Sequence, residues 1–227
     1  LRKVFKFDAE TPNLFESDVP PETRVLVDQY MDSEELSINH NIMMIDIEVE
    51  VTEGFPMPED ANNKITSIAV FDSKSDTYYA FVLDEKKKLT LQSKDNVVIE
   101  SFENEFSLLQ RFLVKYLEFK PTIITGWNID TFDMPYLYNR ICKVAGKNVA
   151  DMISPIIVQW NKHRKRYMFG GVSCLDYYAL YRLFTYTQLS SYRLDAVAEF
   201  ELGENKIEYS GTLNDLYENN INKYVEY

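Results

Sequence analysis

Residues 45–51 alternate apolar and acidic side chains without a break: Ile45, Ile47, Val49 and Val51 are interleaved with Asp46, Glu48 and Glu50. A period of two predicts a β-strand with the aliphatic set on one face and the three carboxylates on the other. Acids two apart on such a face stand about 7 Å apart at Cβ, from ~3.3 Å of rise per residue. That spacing fits two different roles. One is a strand with a solvated acidic face. The other is a pair of carboxylates converging on a divalent cation, without which they would repel and one would take up a proton.

The rest of the pattern is α/β. Strands are predicted over 65–71 and Thr77–Leu83, joined by the polar turn 72–76, and 86–93 reads as polar connection. Apolar residues at 106, 108, 109, 112, 113 and 116 predict a helix over 103–116 that packs on the sheet. Residues 121–126 read as a short buried strand leading into a loop. A helix follows over 134–144, with Pro135 in its first turn and Gly146 stopping it. Hairpin arms are predicted over 156–160 and Arg166–Phe169. Further helices are predicted over 176–184, 192–201 and 212–219, and another begins near Asn222. Residues 1–39 form a separate lead-in punctuated by Pro12, Pro20 and Pro21, with one short helix over 22–30.

Composition narrows the classes. The 227 residues include 16 Tyr and 14 Phe, enough to build a packed core. Only 7 Gly are present, and neither GxGxxG nor a P-loop occurs. No apolar run approaches a membrane span, and residues 1–20 are too charged for a secretory signal. Cys142 and Cys174 match no zinc or redox spacing, which points to reduced thiols and a cytoplasmic protein. The net charge of −12 argues against nucleic-acid binding by bulk attraction, but not against binding through bound metal ions and local basic residues.

A second chemistry-bearing stretch runs from Gly126 through Trp127, Asn128, Phe132 and Asp133 to Pro135 and Tyr136. Asp133 is placed to start a helix as an N-cap acid. It also follows a buried strand and sits at a helix N-terminus, where an acid could join a metal cage beside an amide and an aromatic ring offered to a nucleotide.

At these residues the chain resembles a known family. Asp46-Ile47-Glu48 and Asn128-x-x-x-Phe132-Asp133 are similar to the first two motifs of the 3′→5′ proofreading exonuclease of family B DNA polymerases. The surrounding context resembles the T-even-like phage branch in particular. Gly54-Phe55-Pro56 follows the first motif at the phage-like offset, and residues 125–128 and 135–140 frame the second. Residues 191–195 and 199–202 continue the likeness, and 15–20 with 24–30 resemble the segment ahead of the exonuclease domain.

The resemblance implies an α/β, ribonuclease-H-like fold with a central mixed sheet flanked by helices and a β-hairpin insertion. Residues 1–39 would end the polymerase N-terminal region and 40–227 would form the exonuclease domain. It implies two divalent cations, Mg²⁺ or Mn²⁺, about 3.5–4 Å apart, with Asp46 bridging both, Glu48 holding the water-activating ion and Asp133 serving the second. Hard cations prefer oxygen ligands, which suits this carboxylate set. The implied substrate is the single-stranded 3′ end of primer DNA. The implied partner is the remainder of the polymerase, in cis or as a separate chain, with no membrane involved and a host-cell cytoplasmic location if phage-encoded.

Tyr227 fits the Tyr of the family's third motif, Tyr-x-x-x-Asp, but the Asp four positions on is not in this sequence. The expectation is therefore a weak nuclease with an incomplete cage and a frayed last helix. The competing reading is a catalytically silent DNA-binding or docking module of a split polymerase. Phe55 matches a phage aromatic that stacks on 3′-terminal bases, with a loop Phe plugging the core edge as the alternative. The basic run Lys162, His163, Arg164, Lys165 and Arg166 falls where phage enzymes carry a strand-separating hairpin. Contact of Lys162, Arg164, Lys165 and Arg166 with DNA is expected there, against a solvated hairpin tip.

Overall fold

The computed structural model describes residues 19–34, 39–52, 54–207, 209 and 211–227. The chain divides into two units, Leu1–Asn39 and His40–Tyr227. In the first, helix α1 (Pro21–Tyr30) begins on a proline, whose missing N–H costs nothing at a helix start. Residues 15–18, which carry part of the family likeness, lie outside the described residues.

In the second unit, among the described residues, six strands form one mixed sheet: β1 (Ile42–Val49), β2 (Ile65–Asp72), β3 (Thr77–Leu83), β4 (Val97–Phe102), β5 (Ile123–Gly126) and β8 (Ser173–Asp176). Their order is β4-β3-β2-β1-β5-β8. The pairs β1–β2 and β2–β3 are antiparallel, while β3–β4, β1–β5 and β5–β8 are parallel. Strands β6 (Val158–Asn161) and β7 (Arg166–Phe169) form a separate hairpin. This is the ribonuclease-H-like sheet with a hairpin insertion that the resemblance implies.

The alternation in β1 sorts its side chains as the pleat requires. Met43, Ile45 and Ile47 are buried against helix α2 (Glu105–Phe119) and helix α3 (Asp133–Ala145). Helix α2 starts where Asn104 accepts the Ser107 N–H at 2.9 Å, and it buries Leu108, Leu109, Phe112, Leu113 and Tyr116. Gly146, with φ of 93°, ends α3. The opposite face of β3 carries Val82, which packs with Leu216 of helix α7 (Leu213–Asn219) and with Ile221 and Tyr224 of helix α8 (Ile221–Glu226).

Two expectations are corrected, and two strands appear that the pattern did not predict. The strand is shorter than the period: β1 ends at Val49, one residue past a register shift between Glu48 and Val49, and Glu50 lies beyond it. Strands β4 and β8 exist although their short segments carry no clean alternation. The last helix is packed rather than loose: the Tyr224 hydroxyl is bonded to those of Thr66 and Ser67, 2.8 Å each.

Candidate active site

The site grows from the place where β5 leaves β1. Their pairing runs from Ile42↔Ile123 to Met44↔Thr125 and then stops. At Gly126 a Cβ would lie 2.4 Å from the Ile45 carbonyl oxygen and 2.6 Å from the Ile129 side chain, so glycine is required for this approach. Past that point the N–H of Ile47 needs another acceptor, as any buried backbone donor does. Asp133 supplies it, its Oδ1 accepting that N–H at 3.0 Å. The acid that pattern alone placed as an N-cap is thus the first helical residue, buried and bonded to the strand between Asp46 and Glu48.

Asp46 and Glu48 face a groove of about 730 Å³ whose other wall includes Lys206, Tyr224 and Tyr227. Asp46 keeps much of its surface open to that groove, yet it is hemmed in closely enough by protein that burial raises its pKa, with Lys206 opposing. Burial and the neighbouring Asp46 charge push Glu48 up to about 7, again against Lys206. Burial and Asp46 push Asp133 up to about 7, although the Ile47 N–H favours its ionised form. Glu48 therefore feels the charge of Asp46, and Asp133 feels that of both.

Lys206 has no counterpart in the sequence reading. It follows Gly203, whose left-handed φ of 69° ends helix α6 (Leu194–Leu202) and turns the chain back toward the groove. Its ammonium lies 5.2 Å from the Tyr227 ring centroid. Burial disfavours the charge, but Tyr227, Glu48 and Asp46 together outweigh it and raise the Lys206 pKa. No local pattern marks a lone lysine after a helix stop.

The donor set of Asp46, Glu48 and Asp133 fits a hard divalent cation: all oxygen, crowded, and carrying unneutralised negative charge. As the side chains stand, no three His, Cys, Asp or Glu among the described residues are close enough to hold one ion.

The remaining candidates separate into groups. Phe55 is 70% exposed and packs its ring on Phe132 at 5.5 Å, and Phe132 in turn packs on Tyr136 at 5.5 Å. Asn128 sits in a left-handed turn with φ of 65°, its side-chain oxygen accepting from the Thr131 hydroxyl at 2.7 Å. Lys162, Arg164 and Lys165 occupy the exposed hairpin tip, where Asn161 accepts the His163 and Arg164 N–H groups at 3.0 Å each. Arg166 is not at the tip. It is half-buried in an ion pair with Asp130.

A family model described as "DNA polymerase family B, exonuclease domain" matches residues 9–197. The DNA-directed DNA polymerase of Escherichia phage RB69 is 34% identical over 210 residues, covering 80% of this chain and 23% of the relative. That of Enterobacteria phage T4 is 32% identical over 215 residues, covering 82% and 24%. The DNA polymerase catalytic subunit of Saimiriine herpesvirus 2 (strain 11) is 27% identical over 190 residues, covering 75% and 18%. The chain spans about a quarter of the length of the phage relatives it matches.

Proposed function

Because the chain belongs to the exonuclease domain of DNA polymerase family B, we propose that it removes nucleotides from 3′ ends of single-stranded or frayed primer DNA by hydrolysis of the terminal phosphodiester. The observation that carries this reading is that Asp46 and Glu48 line an open groove while Asp133 is bonded to the Ile47 N–H that lies between them in the strand.

Asp46, Glu48 and Asp133 would hold two divalent cations, Mg²⁺ or Mn²⁺, which when bound lower the pKa of water and neutralise charge on the departing 3′ oxygen. The residues of the chain do the rest. The Asp133–Ile47 bond fixes the third acid against the strand of the other two. Lys206 offers a positive charge and Tyr227 a hydroxyl from the opposite wall. The exposed Phe55 face, braced by Phe132, suits stacking on a terminal base, which is sequence-tolerant and contributes ~1–3 kcal/mol per base. Lys162, Arg164 and Lys165 at the hairpin tip would meet phosphates locally despite the acidic whole.

One observation favours a second reading. The Lys206 ammonium already offsets Asp46 and Glu48, as suits a metal-free, catalytically silent module that docks DNA or the rest of a polymerase. Incubating a 5′-labelled single-stranded oligonucleotide with the chain and Mg²⁺ or Mn²⁺ separates the two. Stepwise shortening that disappears in Asp46→Ala supports the enzyme. Retained oligonucleotide binding with no shortening supports the silent module.

A further inference from the structure

We propose that Asp176 is the positioning residue of the active-site loop: its carboxylate holds the backbone turn that presents Asn128 and delivers Asp133 to β1. The inference rests on the excision reading of the groove. Asp176 ends β8, where it pairs with Gly126, the last residue of β5. It is 6% exposed, and both its oxygens accept backbone donors. Oδ1 takes the N–H of Asn128 at 3.0 Å and that of Tyr178 at 3.0 Å, while Oδ2 takes the N–H of Asp130 at 3.1 Å.

The turn explains why a carboxylate is needed. With Asn128 in the left-handed region, the N–H groups of residues 128 and 130 both face one carboxylate, each bonded to a different oxygen, a concave arrangement that binds anions. Asp176 is the anion that fills it. An amide of the same shape has one acceptor oxygen, and its NH₂ would face a backbone donor on whichever side it lay.

The geometry is then passed forward. The Asn128 carbonyl accepts the N–H groups of Thr131 at 3.2 Å and Phe132 at 3.3 Å, and the Ile129 carbonyl accepts that of Met134 at 3.0 Å. These bonds set the first turn of α3, on which Asp133 stands. Arg166 of the hairpin pairs with the Asp130 side chain, so the loop is clamped from a second direction. The bonds of Asp176 go to the backbone of the loop and of Tyr178 rather than to the three acids, and it acts through the loop.

The test compares the full chain with Asp176→Asn and, as a control on the parent reading, Asp46→Ala. Mn²⁺ affinity is measured by calorimetry, melting temperature by circular dichroism, and kcat and KM on a 5′-labelled single-stranded oligonucleotide. For Asp176→Asn the expected result is an unchanged fold, Mn²⁺ binding weakened at least about fivefold, and kcat lowered at least about tenfold with KM within about threefold. Faster amide exchange at Asp130, read by NMR, accompanies it. Wild-type Mn²⁺ affinity in Asp176→Asn overturns the proposal. If Asp46→Ala also binds Mn²⁺ and excises like the wild type, the excision reading has failed instead. Should Asp176→Asn not fold, Asp176→Glu keeps both oxygens on a longer arm, and unaltered Mn²⁺ affinity there overturns the proposal equally.

Discussion

Asp133 Oδ1 accepts the backbone N–H of Ile47 at 3.0 Å across a sequence separation of 86 residues. The bond seats the buried acid of α3 against the strand that carries Asp46 and Glu48. It satisfies a donor that β5 no longer reaches, and it brings a third negative charge to the site. Stability and chemistry therefore pull on the same carboxylate in opposite directions.

Asp133→Asn separates them. The amide oxygen still accepts the Ile47 N–H, and a buried charge is gone, so the metal-free melting temperature at neutral pH should hold or rise. Excision should fall at least about a hundredfold, some 2.7 kcal/mol of barrier. A variant with near-wild-type excision would remove Asp133 from the site.

The pH dependence of the metal-free chain has a definite sign. Glu48 and Asp133 are raised to about 7 in the fold, from ordinary values of 4.5 and 3.8. Between those values the folded chain binds more protons than the unfolded chain, so stability falls as pH rises. The contribution is complete below about pH 4 and is lost as pH passes about 7. With chelator present, wild type should melt lower at about pH 8 than at about pH 6, relative to a Glu48→Gln, Asp133→Asn double variant. Added Mn²⁺ should recover the loss by binding the folded state. A difference from the double variant that does not change with pH would contradict the assignment.

Gly126→Ala forces a Cβ to within 2.4 Å of the Ile45 carbonyl oxygen and 2.6 Å of the Ile129 side chain. Backbone must shift, at a cost of about 1–3 kcal/mol, the range for overpacking. The shift lies at the entry to the Asn128 turn, so excision should drop more than about tenfold in chains that remain folded. Urea unfolding and the oligonucleotide assay read the two effects separately.

Phe55→Ala should leave folding nearly untouched, because the ring is 70% exposed. Loss of one stacking face should weaken single-stranded oligonucleotide binding by ~1–3 kcal/mol, appearing in KM rather than kcat. Fluorescence anisotropy with a labelled oligonucleotide checks this. A stability loss with unchanged binding would make Phe55 a structural plug.

Glu105 and Arg140 form a bidentate pair, 2.8 and 2.7 Å, at 8% and 13% side-chain exposure. Glu105 also accepts the N–H of Ile65 at 2.8 Å, and Arg140 holds the carbonyls of Ala61 and Asn62. Glu105→Ala should cost about 3–5 kcal/mol in urea unfolding, since it strands a buried cation. Replacing both partners with apolar residues should cost less than the single change.

The sequence by itself determined the acidic strand, the apolar stripe of α2, the stop at Gly146 and the motifs that mark the family. Each depends on neighbours within a few residues: pleat alternation, helical spacing, a glycine free to turn. What only the tertiary structure decided lies in pairings between distant segments. Strands β4 and β8 are defined by parallel ladders to β3 and β5 rather than by their own alternation. Strand β1 ends at Val49 after a register shift with β2, so Glu50 lies outside the strand. Lys206 joins Asp46 and Glu48 across a groove. Arg166 belongs to a basic run in the sequence, but in the fold it is committed to Asp130. Local periodicity fixes which way a side chain points, because the backbone geometry repeats along the chain. It does not fix what that side chain meets, which depends on where chain from elsewhere in the sequence comes to rest.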